Sequence, residues 1–229
     1  MPTNESARAS LNQIAGDVTD YYTGTLAQHG ETPRGVDWSC KPTQELRFIQ
    51  LLRICSFKAS ISTSLSFSTT AFSLNDVGCG YGALCGFLRQ RHRQARIDYL
   101  GVDLSQAMVD SARSRWGHLQ NTIFDIANSS LRSADYSIAS GLFNVRLNHA
   151  DIDWEPWVAQ TLQNLRSASR VGFSVNFLSP PQPGESSPQA LYRPTVARWK
   201  NFCENELQSS VQAITGYGMR EYTLLVRGR

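Results

Sequence analysis

The chain has 229 residues, 41% of them hydrophobic and 18% charged, with a formal net charge of +3. That length carries one full-sized α/β core, and the apolar share excludes a disordered chain. So small a charge excess does not by itself call for a nucleic-acid partner, and no apolar run is long enough to span a membrane.

The first residues, Met1-Pro2-Thr3-Asn4-Glu5-Ser6, are polar and lack a basic start followed by an apolar run, so no signal peptide is expected. Tyr21, Tyr22 and Trp38 interrupt an otherwise polar opening. Phe48, Leu51, Leu52 and Cys55 stand at i, i+3, i+4 and i+7 and predict a helix over 43–54. The Ser/Thr-rich stretch 56–73 reads as a loop. An alternating pattern then begins. Strands are expected over 72–77, 97–102, 122–124, 136–140 and 171–177. Helices are expected over 82–91, 105–116 and 154–169, with Ser105 and Asp153 as N-caps. A Pro-rich loop at 179–188 precedes a helix over 195–207 and two strands, 211–217 and 221–227, that turn around Gly218.

Strands alternating with helices imply a parallel sheet covered on both faces, and the closing pair must be antiparallel. The expected fold class is α/β: a seven-stranded sheet, mostly parallel, with a C-terminal antiparallel hairpin. One domain is expected overall. Residues 1–55 would form a helical lid or cap, 56–73 a loop, and 70–229 the ligand-binding body.

Leu74-Asn75-Asp76-Val77-Gly78-Cys79-Gly80-Tyr81-Gly82 carries the most chemical information. A strand ends in an acid, three glycines follow at alternate positions, and a helix begins. Such a turn lets a ligand approach the main chain and meet the unpaired N–H groups of a helix start.

Asp76-Val77-Gly78-Cys79-Gly80-Tyr81-Gly82 resembles the glycine motif of the class I, Rossmann-like S-adenosylmethionine-dependent methyltransferases, and Gly101-Val102-Asp103-Leu104-Ser105-Gln106-Ala107-Met108 resembles their second motif. The small bacterial type that acts on small molecules is the nearest likeness. The resemblance implies S-adenosylmethionine as cofactor and S-adenosylhomocysteine as product. It implies that Asp103 accepts from the ribose hydroxyls and that Leu104 and Met108 flank the adenine. Gly78, Cys79 and Gly80 would pass the methionine part, with Asp76 nearby. Asp125 would accept from the adenine amine, Ile126 would donate its N–H to the ring, and Ser140 would complete the cofactor wall. Asn75 departs from the family pattern. An Asn inside a strand needs its amide bonded.

On the acceptor side, Ala139-Ser140-Gly141-Leu142-Phe143-Asn144-Val145 lacks the Asn-Pro-Pro-Tyr/Phe motif of nucleic-acid amino and glutamine methylation. Trp38, Phe143 and Asn144 are candidate substrate contacts, and Tyr22 and Asn144 are weak catalytic candidates. His29 and His149 are further possible bases. Gln44 and Arg47 are placed to reach the cofactor carboxylate. No metal is expected: Cys40, Cys55, Cys79, Cys85 and Cys203 form no C-x-x-C pair, and His149, Asp151 and Asp153 match no ligand spacing. The odd cysteine count fits a reducing, cytoplasmic setting.

The expected reaction is methyl transfer to an N, O or C nucleophile of a small molecule, with the chain a monomer or homodimer and neither membrane nor nucleic acid as partner. Two alternatives stand beside it. The clustered arginines between Arg89 and Arg96 would suit an RNA methyltransferase. A nicotinamide oxidoreductase would require G-x-G-x-x-G, where this chain has G-x-G-x-G.

Overall fold

A computed structural model describes residues 4–55 and 71–228. The Ser/Thr-rich loop expected over 56–73 therefore lies almost wholly outside the described residues. The elements run α1 (Asn4–His29), α2 (Lys41–Leu52), β1 (Phe72–Val77), α3 (Ala83–Arg91), β2 (Ile97–Asp103), α4 (Gln106–Trp116), β3 (Thr122–Ile126), β4 (Ala134–Ala139), α5 (Asp151–Ser167), β5 (Ser169–Leu178), α6 (Val196–Asn205), β6 (Ser209–Ile214) and β7 (Glu221–Gly228). A 3-10 turn over Pro33–Val36 separates α1 from α2.

The strands form one seven-stranded sheet in the order β3-β2-β1-β4-β5-β7-β6. β1 pairs in parallel with both β2 and β4, so the strand order reverses on either side of it. β7 runs antiparallel to β5 and β6. This is the expected architecture, and its crevice for a ligand lies beyond the C-terminal ends of β1 and its neighbours.

Each face of the sheet has its own core. α1, α5 and α6 bring Ile14, Trp154, Leu162 and Trp199 onto Val77, Val102, Phe173 and Phe177. α2, α3 and α4 bring Leu51, Leu52, Leu84, Leu88 and Val109 onto Leu74, Tyr99, Ile138 and Leu225. Asn75 is fully buried in β1 and its amide is bonded. It donates to the Arg132 carbonyl at 3.2 Å, and its oxygen accepts from Arg132 Nε at 3.3 Å.

Several boundaries differ from expectation by a few residues, and three of these are informative. β3 runs to Ile126 rather than Phe124, because 122–126 pair fully with Tyr99–Asp103. α5 starts at Asp151, with Ala150 at its cap position, so Asp153 is not the N-cap. Asp151 and Asp153 instead occupy the first turn, where the helix dipole favours acids. β6 ends at Ile214, which leaves 215–220 as a longer connection to β7. Ser105 does cap α4, its hydroxyl accepting from the Met108 N–H at 3.4 Å.

Candidate active site

The glycine loop takes its shape from backbone conformations that side chains resist. Gly78, Gly80 and Gly82 have φ of 74°, 54° and 78°. A Cβ on Gly78 would come within 2.9 Å of Leu142. The N–H groups of Gly78 and Cys79 both donate to the Val102 carbonyl, at 2.8 and 3.0 Å, which fastens the loop to β2. Asp103 ends β2 and completes the join. One carboxylate oxygen accepts from Gly80 N at 2.9 Å and the other from Ser105 N at 2.9 Å. Burial pushes the Asp103 carboxyl up, while the N–H groups of Ser105, Gly80 and Leu104 pull it down.

A cavity of about 740 Å³, its open mouth included, lies at the ends of β1, β2 and β4. Of the residues expected at the cofactor, Gly78, Gly80, Asp103, Leu104, Met108 and Ser140 line it together, and Tyr22 and Trp38 face them. The others stand elsewhere. Asp76 is buried behind the loop, where it accepts from the Tyr99 hydroxyl at 2.5 Å. Burial raises its carboxyl to about 7, against the lowering effect of the Tyr99 bond. Cys79 is buried and off the cavity wall, with its sulfur packed near Gly101.

Asp125 and Ile126 are absent from the wall because β3 extends through them. Asp125 accepts from Arg113 at 3.3 Å and from the Ile126 N–H at 2.9 Å, and the Ile126 side chain is 43% exposed. The two-residue extension brings Ala127 and Asn128 to the cavity instead. Phe143 is a core residue, stacked on Phe177 with centroids 5.3 Å apart and edge-on to Trp157. Asn144 is buried off the wall, and neither side-chain amide atom has a partner among the described residues.

α1 and the segment behind it cover the cavity. Val18, Thr19 and Tyr22 of α1, then Val36 and Trp38, form that side. Thr23 and Ser105 share a hydroxyl–hydroxyl bond of 2.7 Å, which ties α1 to the start of α4. Arg115 on α4 reaches Glu31 at 3.0 Å. Tyr21 donates to Asp37 at 3.1 Å, and its phenol is pushed up to about 12 by burial and by that carboxylate. Burial raises the Tyr22 phenol further still. A phenol so shifted keeps its proton at neutral pH, which makes the Tyr22 hydroxyl a hydrogen-bond donor.

Neither His29 nor His149 reaches the wall. His149 stands 3.0 Å from Asp17 and stacks on Trp154. Gln44 donates to the Tyr81 hydroxyl at 3.4 Å. Arg47 does not line the cavity, and its Nη1 has no hydrogen-bond partner among the described residues. It is 1% exposed and makes a three-bond pair with Glu221. Among the described residues, no cluster of His, Cys, Asp or Glu could hold a metal.

Comparison with known proteins fits this geometry. The methyltransferase domain family matches residues 75–171. The Mycobacterium tuberculosis protein named "Putative methyltransferase Rv1506c" is 40% identical over 156 residues, 68% of this chain and 93% of that one. The chain belongs to the class I S-adenosylmethionine-dependent methyltransferases. Solved members share its fold at low identity. Magnesium protoporphyrin IX methyltransferase of Synechocystis PCC 6803, solved with bound S-adenosylhomocysteine, superposes with a TM-score of 0.53 at 13% identity, covering 71% of this chain and 76% of that one. Human N-acetylserotonin methyltransferase, solved with S-adenosylmethionine, gives 0.53 at 14% identity over 99% and 67%.

The methyltransferase has cavity residues that sequence reasoning did not single out. Val18 stands between Ile14 and the expected Tyr22 at helical spacing, a periodicity readable in the sequence. Trp157 and Thr161 share one face of α5 at i, i+4. Leu142 follows Gly141 in the turn after β4. Nothing local marks these residues as ligand-facing.

Proposed function

We propose that this methyltransferase transfers the methyl group of S-adenosylmethionine to an N, O or C nucleophile of a small, largely apolar molecule in the cytoplasm. The observation that carries this reading is one continuous cavity. It joins Asp103 and the Gly78–Gly80 backbone to an aromatic and aliphatic wall of Tyr22, Trp38, Leu142 and Trp157.

The residues suit the donor. Asp103 is an acceptor-only carboxylate at the end of β2, matched to paired ribose hydroxyls. Leu104 and Met108 offer apolar surface to a flat base. Gly78 and Gly80 leave main chain uncovered where a Cβ would meet Leu142 or Val36. When bound, S-adenosylmethionine supplies an electrophilic methyl on a sulfonium. Tyr22 and Trp38 give that cation aromatic faces. Val18, Leu142 and Trp157 exclude water and orient the acceptor, so the protein contributes proximity rather than proton transfer. Among the described residues Asp103 is the charged one on the wall, and it is engaged by Gly80 and Ser105, so an acceptor that carries a proton releases it to solvent. α1 and the Val36–Trp38 segment serve as the cover.

The test is transfer of label from methyl-labelled S-adenosylmethionine to a panel of small apolar amines, phenols and carbon acids, run beside RNA. Label in a small molecule, lost in Asp103→Ala, supports the reading. Label confined to RNA, or no turnover with any acceptor, contradicts it.

A further inference from the structure

We propose that Glu221, Arg47 and Asn176 are positioning residues that hold Trp38 and the Gly141 turn together as one wall of the cavity. The proposal rests on the reading that this cavity receives the adenosyl donor.

Trp38 and Gly141 both line the cavity, yet they come from distant parts of the chain. A closed ring of contacts behind them explains their meeting. The Trp38 indole lies on the Arg47 guanidinium, with the guanidinium carbon 3.1 Å from the ring centroid. Arg47, on α2, places Nε 3.0 and 2.9 Å from the two carboxylate oxygens of Glu221, and Nη2 2.5 Å from one of them. Glu221, the first residue of β7, also accepts from Asn176 Nδ2 at 3.2 Å and from the Tyr217 hydroxyl at 3.1 Å. The other end of the Asn176 amide accepts from Gly141 N at 2.7 Å. Gly141 then meets the indole. Its φ is 74°, and a Cβ there would overlap Cζ2 and Cη2 of Trp38.

One carboxylate therefore controls both parts of the wall. Through Arg47 it sets the plane of the indole, and through Asn176 it sets the turn against which the indole edge rests. Glu221, Arg47 and Asn176 are each at most 2% exposed, and none lines the cavity. A buried ion pair is costly to desolvate, and apolar packing would seat an indole at lower cost. What the pair adds is direction. A bidentate guanidinium fixes the plane that the stacked ring must follow.

A double-mutant cycle on S-adenosylhomocysteine binding, read by calorimetry, tests this with Glu221→Gln, Trp38→Ala and the pair combined. If Glu221 acts through Trp38 as well as through the Gly141 turn, Glu221→Gln weakens binding about tenfold, and the double variant loses less than the two single losses multiplied together. Losses that multiply, or an unchanged affinity in Glu221→Gln, overturn the proposal. Tryptophan emission gives a readout free of ligand. Glu221→Gln should shift it to the red as Trp38 is released, and the shift should vanish in a Trp38→Phe background. A red shift that persists there contradicts the proposal. If Glu221→Gln does not fold, Asn176→Ser cuts the link to Gly141 and enters the same cycle under the same criteria. A wild-type chain that gives no heat with S-adenosylhomocysteine refutes the donor reading, while the emission shift still decides the positioning role.

Discussion

Asp76 is a buried acid and Asp103 a half-buried one, both close to strand ends, and their surroundings give them different work. Asp103 is held by N–H groups and faces the cavity. Replacing it with alanine removes a charged acceptor and loosens the Gly80 turn. The expected cost is a roughly 10- to 100-fold loss of S-adenosylhomocysteine affinity, measurable by calorimetry. Asp76 has only the Tyr99 hydroxyl as a side-chain partner among the described residues, and its carboxyl sits at about 7. In the unfolded chain it titrates near about 4. Below that pH both states are protonated and Asp76 contributes nothing. Between about 4 and 7 the folded state holds the proton and the unfolded state does not, so stability falls as pH rises. Urea unfolding across this range should show the decline, and Asp76→Asn should flatten it. Gly141→Ala combines a left-handed φ with overlap onto Trp38 and should cost about 1–3 kcal/mol in the same assay.

At the scale of elements, α1 is the part of the site that the chain's local pattern describes least. Buried Ile14 and Val18 continue into half-buried Tyr22 along an otherwise polar helix, and the Thr23–Ser105 bond, which spans 82 residues, helps tie that helix over the cavity. α1 lines the cavity through Val18, Thr19 and Tyr22, so a bound donor should slow hydrogen exchange in 14–26 more than in α6. Equal protection in both helices would count against α1 as a cover. The β1–α3 and β2–α4 units were readable because strand, glycine turn and cap follow one another directly. The end of β3 was not, since pairing with β2 rather than any turn residue carries it to Ile126. That extension moved the cavity-facing positions from Asp125 and Ile126 to Ala127 and Asn128. The buried Asn75 was readable as a demand for a partner, and Arg132 supplies it, although nothing in the sequence names Arg132.

At the scale of the molecule, the order of strands and helices foretold a parallel sheet closed by an antiparallel hairpin, because that alternation permits few other topologies. The same order could not reveal the Arg47–Glu221 pair, whose members stand 174 residues apart. That pair joins α2 to the C-terminal hairpin, so the cavity wall at Trp38 is backed by a distant part of the chain. Removing one member leaves a buried charge unpaired, and Arg47→Met should cost about 3–5 kcal/mol of stability in urea unfolding. A crystal structure of the chain with S-adenosylhomocysteine tests the whole assignment most directly. The ribose should lie against the Asp103 carboxylate and the sulfur should face the Trp38–Leu142 wall. A ligand seated elsewhere on the sheet, or turned so that its sugar leaves Asp103 untouched, would contradict it.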